Sequence, residues 1–246
     1  MELTQFNLNE KSIPIYSYKT LSSTNLTLRS LIESSVKLPL AVIAENQTAG
    51  KGQWGRVWQS KEGGLYLSVG IAFTILLEDA LLLTLMASWG ITQILNREAI
   101  PVKLKWPNDL LLQGRKLGGI KIETCSKGNL ISQIIVGVGI NWHNETPLQA
   151  INLRQYPHIS SLEQLTHLTI EGIFLGLERY EQIGVEDSLS LYLKNLDSMG
   201  KKVQIEGQTG TVSGINNKGQ LKVLFSSPGA SCEIYCWPGM ISLGYY

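Results

Sequence analysis

A series of apolar segments separated by short polar turns occupies the middle of the chain, between residues 101 and 140. The turns fall at Pro107-Asn108, Gln113-Gly114-Arg115 and Lys127-Gly128-Asn129, and they contain residue types that favour tight reversals. Successive short turns of this kind join neighbouring strands as hairpins, so the pattern predicts a largely antiparallel sheet. Its strands are expected at Val102–Trp106, Leu110–Leu112, Leu117–Glu123 and Leu130–Ile140.

Helical patterns lie before and after this series. Ser and Thr at 22–24 are residue types that cap helix N-termini, which predicts a helix beginning near Asn25. Residues 80–95 form an uncharged run shorter than the roughly 20 residues that span a bilayer, and we interpret it as a buried helix. Apolar residues at helical spacing over 161–183 and 186–196 predict helices that cover the sheet.

Short apolar runs elsewhere predict further strands. Two of them, Leu40–Ala44 and Leu65–Phe73, precede the hairpin series. After Met199-Gly200 the pattern changes to short strands with tight turns, which is typical of a small β-barrel. These last strands are expected at Val203–Glu206, Thr209–Ile215, Leu221–Phe225 and Glu233–Trp237. We therefore expect two domains, residues 1–198 and residues 199–246.

Composition and charge narrow the class of protein. The 21 basic and 20 acidic residues leave a net charge of +1, too near neutral for a dedicated binder of DNA or of anionic membranes. Three cysteines form an odd set in a chain long enough to fold without disulfides, so we expect a reducing compartment, the cytoplasm. Residues 1–11 show no signal-peptide pattern.

Familiar catalytic signatures are absent from the sequence. The three histidines lack metal-ligand spacing and Cys232-x-x-x-Cys236 has no partner pair, so no protein-held metal is expected. Neither a G-x-S-x-G elbow nor a P-loop occurs. An enzyme of this sequence would act by positioning and charge rather than through a covalent nucleophile.

A glycine-rich loop lies between the strands expected at 40–44 and 65–73. Gly50, Gly52 and Gly55 satisfy a literal G-x-G-x-x-G, but a strand follows instead of the helix that a dinucleotide site requires. Lys51 and Arg56 add two cations, so the loop can wrap an anion with backbone N–H groups and positive charge. The alternative is a solvated hairpin loop with exposed tryptophans.

A second candidate segment runs from Lys103 to Ile120. Asp109 and Lys116 begin and end a tight hairpin, so they are expected to converge near one end of the sheet. Gly118-Gly119 removes side chains where a ligand can lie against the backbone. The alternative is a surface hairpin with a β-bulge.

The order of these motifs is more specific than any one of them. Ser23-Thr24-Asn25 comes first, followed by the loop from Gln47 to Trp58, then Lys105-Trp106-Pro107-Asn108-Asp109, Arg115 to Ile120, and Gly137-Val138-Gly139-Ile140-Asn141. Over residues 16–143 this order resembles the biotin protein ligases, the biotin–[acetyl-CoA-carboxylase] ligase family.

The resemblance implies both a fold and a reaction. The fold is α+β, a mixed and largely antiparallel sheet with helices packed mainly on one face, followed by a small Src-homology-3-like β-barrel. Residues 1–198 would be the catalytic domain that binds biotin and ATP. The reaction forms biotinyl-5′-AMP from biotin and Mg²⁺-ATP, and then transfers biotin to a lysine of a biotin carboxyl carrier protein.

The resemblance also implies residue roles. The implied catalytic residues are Lys116, Lys51 and Arg56. The residues implied to bind biotin or the nucleotide are Ser23, Thr24, Asn25, Gln47, Gly50, Lys51, Gly52, Gln53, Trp58, Asn108, Asp109, Lys116, Gly118, Gly119, Gly139 and Asn141. Of these, residues 23–25 and 47 would surround the ureido ring, the loop would hold the adenylate, and Lys116 would contact the carboxylate and α-phosphate.

This sequence departs from the family pattern in three places. The family loop commonly reads Gly-Arg-Gly-Arg, whereas here Gln53 replaces the second cation. Residues 239–244 lack the charged groups that some members carry there, which puts a role of the barrel in ATP binding in doubt. Too few residues precede Ser23 for a winged-helix domain, so we expect the form without a DNA-binding domain.

The expected partners are biotin, ATP and the carrier protein. The sequence leaves open whether the protein forms a homodimer, and no DNA or membrane partner is expected.

Two other functions remain as alternatives. A lipoate or octanoate ligase shares the catalytic architecture but fits the segment Lys105–Asp109 poorly. A non-catalytic protein that sequesters biotin or a nucleotide is the second alternative.

Overall fold

The computed structural model describes residues 1–241 and 243, which form two antiparallel-rich sheets, three α-helices and two short 3-10 helices. The first sheet contains β1 Glu2–Leu8, β2 Lys11–Leu21, β3 Leu40–Gln47, β4 Leu65–Leu76, β5 Val102–Lys105, β6 Asp109–Leu112, β7 Arg115–Lys127 and β8 Leu130–Ile140. The helices are α1 Thr24–Glu33, α2 Ala80–Arg97 and α3 Leu162–Asn195. The second sheet contains β9 Lys202–Ile205, β10 Gln208–Ile215, β11 Leu221–Ser227 and β12 Ala230–Cys236.

The large sheet confirms the predicted α+β fold. Its eight strands run in the order β1-β2-β3-β4-β8-β7-β6-β5, and only β2 and β3 pair in parallel among the described strands. The hairpins β5–β6, β6–β7 and β7–β8 follow the predicted turns. The hairpin of β1 and β2 has no counterpart among the sequence predictions.

Alternation along the strands separates two packing faces. In β3, Ala41 and Ile43 belong to the main core, whereas Leu40 and Val42 pack with Leu28 of α1 on the other side. The long helices α2 and α3 cover the main-core face, so the prediction of helices mainly on one face is confirmed. The short α1 lies on the opposite face, and it leaves room beside it for a cavity.

The two long helices approach each other closely. A Cβ on Gly90 of α2 would lie 2.0 Å from the carbonyl oxygen of Gly172 in α3, so only glycine permits this contact. The α3 segment is interrupted at Gly184, whose φ of 74° lies in the region that glycine tolerates. The two helices predicted at 161–183 and 186–196 therefore meet at this residue. No helix within the described residues is long and apolar enough to cross a membrane.

The C-terminal strands form a four-stranded antiparallel sheet in the order β12-β11-β10-β9. This arrangement agrees with the predicted Src-homology-3-like unit, while the boundary at 198/199 stays a prediction. The unit contacts the first sheet through the indole of Trp106, which donates a 2.9 Å hydrogen bond to the carbonyl oxygen of Gly219. Part of the segment 239–244, namely Ser242 and Gly244, lies outside the described residues, as do Tyr245 and Tyr246.

Candidate active site

A cavity of about 510 Å³ opens on the α1 face of the large sheet. Its floor follows from the alternation of β7 and β8, since Ile120, Val136 and Val138 point into the main core and their neighbours point the other way. Two of these neighbours are glycines, Gly119 and Gly139, which leave the space above the sheet open. The glycine-rich loop and part of the C-terminal segment 239–243 complete the walls.

One end of the cavity is a network of neutral polar groups. The side-chain oxygen of Gln47 accepts from the backbone N–H of Thr24 at 2.9 Å and lies 3.2 Å from its hydroxyl. The hydroxyl of Ser68 lies 2.7 Å from that of Thr24 and 2.6 Å from Oδ1 of Asn25. Thr24 and Asn25 are held there because α1 begins at this point, with Ser23 in the N-cap position. Such fixed donors and acceptors suit a polar head group.

The other end of the cavity carries charge. The Nζ atom of Lys116 lies 2.6 Å from Oδ1 of Asp109, and Asn108 beside it donates a 2.8 Å hydrogen bond to the carbonyl oxygen of Ile120. A bulge between β6 and β7 falls at Leu110/Leu111, so the two charged side chains meet although they are not paired across the strands. The predicted convergence of Asp109 and Lys116 is therefore observed.

The glycine-rich loop folds over the cavity as a small hairpin. The N–H of Gly52 donates to the carbonyl oxygen of Arg56 at 2.7 Å, and the N–H of Trp58 donates to that of Gly50 at 2.9 Å. Trp54 is 68% exposed, as the solvated-loop alternative expects. Trp58 instead lies against the floor, since a Cβ on Gly139 would be 2.4 Å from its ring.

Residues 17–141 match the Biotin/lipoate A/B protein ligase family, which is half of the chain. The chain belongs to this family. The bifunctional ligase/repressor BirA of Bacillus subtilis is 36% identical over 126 residues, covering 50% of this chain and 39% of that protein. The biotin--[acetyl-CoA-carboxylase] ligase of Paracoccus denitrificans is 29% identical over 145 residues, covering 55% and 58%. The chain spans about two fifths of the length of the first of these relatives.

Solved structures match a larger part of the chain. The biotin protein ligase from Aquifex aeolicus in complex with biotin and ATP has 27% sequence identity and a TM-score of 0.72, and the match covers 94% of this chain and 99% of that one. The likeness extends over both sheets, so it includes the C-terminal unit as well as the family segment.

Most residues that the family resemblance implied as site residues line the cavity of the present protein. They are Ser23, Thr24, Asn25, Gln47, Lys51, Gly52, Gln53, Arg56, Trp58, Asn108, Asp109, Lys116, Gly119 and Gly139. Three others do not line it. Gly50 packs within the loop against Trp58 and Ser60, Gly118 packs against the backbone of Gly139, and the Asn141 amide donates to the carbonyl oxygen of Ile151 at 3.2 Å.

Other lining residues were not named as site residues from the sequence. Lys121 and Glu123 of β7 point into the cavity, and alternation counted from Gly119 could have identified both. The segment 239–241 and Leu243 also line the cavity, although this part of the chain lacks the charged groups that some family members carry there.

Lys105 is a further lining residue, and it is 8% exposed. Burial lowers its pKa to about 8, and the positive charges of Lys116 and Arg56 act in the same direction. The carboxylates of Asp109 and Asp197 oppose this change. Within the described residues no cluster of three or more His, Cys, Asp or Glu side chains could hold a metal ion.

Proposed function

We propose that this protein is an ATP-dependent biotin protein ligase, which forms biotinyl-5′-AMP and transfers the biotinyl group to a lysine of a biotin carboxyl carrier protein. The main support for the proposal is that one cavity has a neutral polar end and a charged end. The neutral end is the network of Thr24, Asn25 and Gln47, and the charged end is the pair of Lys116 and Asp109. Biotin has the same polarity, with a ureido ring at one end and a carboxylate at the other.

The first step joins the carboxylate to the α-phosphorus of ATP. A carboxylate oxygen forms a bond to phosphorus, the bond to the bridging oxygen breaks, and pyrophosphate leaves with its electron pair. Lys116 neutralises charge on the carboxylate and the α-phosphate as they approach, and Lys51 and Arg56 lie in the loop above the same cavity. Charged donors that are already in position stabilise such a transition state without reorganisation.

The second step needs no nucleophile from this chain. The neutral amine of the carrier lysine attacks the carbonyl carbon of the anhydride, AMP leaves, and the amine proton passes to solvent. This chain positions the adenylate and excludes water around it.

Trp58 provides further support for a ligand in the cavity. Its indole Nε1 is buried and has no hydrogen-bond partner within the described part of the chain, and a bound ligand atom at this place would accept its hydrogen bond.

Mg²⁺ would enter with ATP and would supply additional positive charge beside the phosphates. The residues fit that arrangement, because Mg²⁺ in nucleotide sites is commonly held by one or two carboxylates and the substrate phosphates. Asp109 is the carboxylate that lies beside Lys116.

We further propose a cytoplasmic location, which the three free cysteines support. Homodimer formation stays a prediction from the sequence.

The family name covers biotin and lipoate ligases, so the substrate needs its own test. The polar end of the cavity favours biotin, because a ureido ring can form hydrogen bonds with its amide and hydroxyl groups, whereas an alkyl chain or dithiolane ring would displace water from them without a hydrogen bond in return. ATP–pyrophosphate exchange measured with biotin, lipoate and octanoate separates the three acids. We expect exchange with biotin alone. Exchange with lipoate or octanoate instead supports the other ligase, and biotin binding without exchange supports a sequestering protein.

A further inference from the structure

A partly buried charge cluster borders the polar end of the cavity, and two of its members, Lys121 and Glu123, line the cavity. The carboxylate of Glu123 accepts hydrogen bonds from Arg29 at 2.5 Å and from the side-chain amide of Asn25 at 3.1 Å, and it pairs with Lys121 at 3.1 Å. Glu123 and Lys121 come from β7, whereas Asn25 and Arg29 come from α1. The cluster therefore ties the start of α1 to the sheet that forms the floor.

The carboxylate is ionised at neutral pH. Burial acts to raise the pKa of Glu123, but the hydrogen bonds from Asn25, Arg29 and Lys121 outweigh it and leave that pKa below its ordinary value. An ionised carboxylate only accepts hydrogen bonds. The group of Asn25 that faces it is therefore the amide nitrogen, and the amide oxygen is the atom 2.6 Å from the Ser68 hydroxyl.

The surroundings leave Asn25 little freedom to move. A Cβ on Gly137 would lie 2.3 Å from Oδ1 of Asn25, so the amide rests directly on the backbone of β8. Ser68 is fully buried and also contacts Thr24, which is joined to Gln47. The orientation of one amide thus sets the donors and acceptors along the whole polar end of the cavity.

We propose that Glu123 is a positioning residue for head-group selection: it fixes the amide of Asn25 with its nitrogen toward the carboxylate, so that the cavity presents an amide N–H rather than an amide oxygen to a cyclic urea. The proposal rests on the proposed function. An amide nitrogen has two hydrogens, and the bond to Glu123 uses one of them. The second is available to the carbonyl oxygen of a urea ring.

The test compares Glu123→Gln and Glu123→Asp with the wild type. Binding of biotin is measured by calorimetry, and KM values for biotin and for ATP are measured by pyrophosphate exchange. Because a hydrogen bond to a charged group is lost, Glu123→Gln should weaken biotin binding about tenfold or more. The KM for ATP should change less than about twofold, and Glu123→Asp should recover part of the affinity. The control is Glu178→Gln, which breaks an ion pair with Lys11 away from the cavity and should change neither value.

The dependence on Asn25 is tested with a double-mutant cycle. In an Asn25→Ala background, Glu123→Gln should weaken biotin binding by less than about twofold, because the residue through which it acts is gone. An undiminished effect in that background overturns the proposal, as does an equal rise in both KM values. Where Glu123→Gln does not fold, judged by thermal unfolding, Glu123→Asp is carried through the same cycle.

Failure of the proposed function gives a different result. A wild-type protein that binds biotin without pyrophosphate exchange contradicts the ligase, while calorimetry of the variants still decides the role of Glu123. A wild-type protein that binds no biotin overturns both proposals.

Discussion

The ammonium group of Lys116 lies 2.6 Å from Oδ1 of Asp109, and their side chains are 26% and 13% exposed. The pair connects the two ends of one hairpin at the charged end of the cavity. The Nζ atom also lies 5.3 Å from the centre of the Trp58 ring, so the cation is bordered by a carboxylate on one side and an aromatic face on the other. This arrangement orients the lysine before any substrate binds, which is the condition for electrostatic catalysis without reorganisation.

Replacement of Lys116 by alanine should slow adenylate formation by about 10²- to 10³-fold, the usual effect of losing one positioned donor to a transition state. Initial rates of biotin-dependent pyrophosphate exchange measure the effect. Lys127→Ala, at the exposed tip of the β7–β8 hairpin, is the matched control and should exchange normally. Exchange by Lys116→Ala at nearly the wild-type rate would remove this residue from the mechanism.

Gln53 provides a test of adenylate retention. Its side-chain nitrogen lies 3.4 Å from the carbonyl oxygen of Ile120, and the residue lines the cavity. Gln53→Arg should slow the dissociation of biotinyl-5′-AMP by about 10- to 100-fold, because a hydrogen bond to a charged group is worth roughly 1.5–3 kcal/mol. A chase of labelled adenylate gives the rate. Gln208→Arg adds the same charge to the C-terminal sheet as a control, and equal rates for Gln53→Arg and wild type would show that position 53 does not touch the adenylate.

The loop from Ala49 to Ser60 should become less accessible when ligands bind. Few backbone hydrogen bonds hold it, and Lys51 and Arg56 are both exposed. An adenylate that contacts both cations would stabilise the closed loop. A stabilisation of about 1.4 kcal/mol lowers the population of the open loop about tenfold, and trypsin cleavage, which requires the open loop, slows by the same factor. Trypsin cleavage after Lys51 and Arg56 should slow by about this factor with biotin and ATP, while cleavage after Lys127 stays constant. Unchanged cleavage in the loop would exclude its assignment to adenylate binding.

Lys105 predicts a specific pH dependence of stability. Its pKa is about 8 in the folded protein and 10.5 is its ordinary value, so between these pH values the unfolded chain binds more protons than the native one. We therefore compare the free energy of unfolding of the wild type with that of Lys105→Met. The wild-type value minus the variant value should rise across this window by up to about 1.4 kcal/mol per pH unit. Urea unfolding of both proteins at pH 7 and pH 9.5 measures the difference. A difference that does not change with pH contradicts the lowered pKa.

Local patterns in the sequence predicted the parts of the fold that depend on local chemistry. The turn at Gly128 and the start of α1 beside Ser23 were predicted closely, because turn and capping preferences act over a few residues. The edge hairpin of β1 and β2 was not predicted. Most residues of β1 are exposed, so its sequence lacks the apolar alternation that identifies a strand.

The candidate site shows the same division. Lys116 and Asp109 were predicted to converge because one short hairpin connects them. The cluster of Glu123 with Arg29 was not predicted, since these residues are far apart in the sequence and meet only when α1 packs on the large sheet. Asn141 follows β8 within a family motif, but its amide faces the backbone of Ile151 rather than the cavity. A motif identifies a segment, whereas the direction of each side chain depends on tertiary packing.

The most direct test of the proposed ligase activity is the mass of a carrier domain after incubation with this protein, biotin, ATP and Mg²⁺. We expect one biotinyl group on a single carrier lysine, formed only when ATP is present and absent when that lysine is replaced by arginine. A carrier whose mass stays unchanged, although the biotin protein ligase from Aquifex aeolicus modifies the same preparation, would contradict the account.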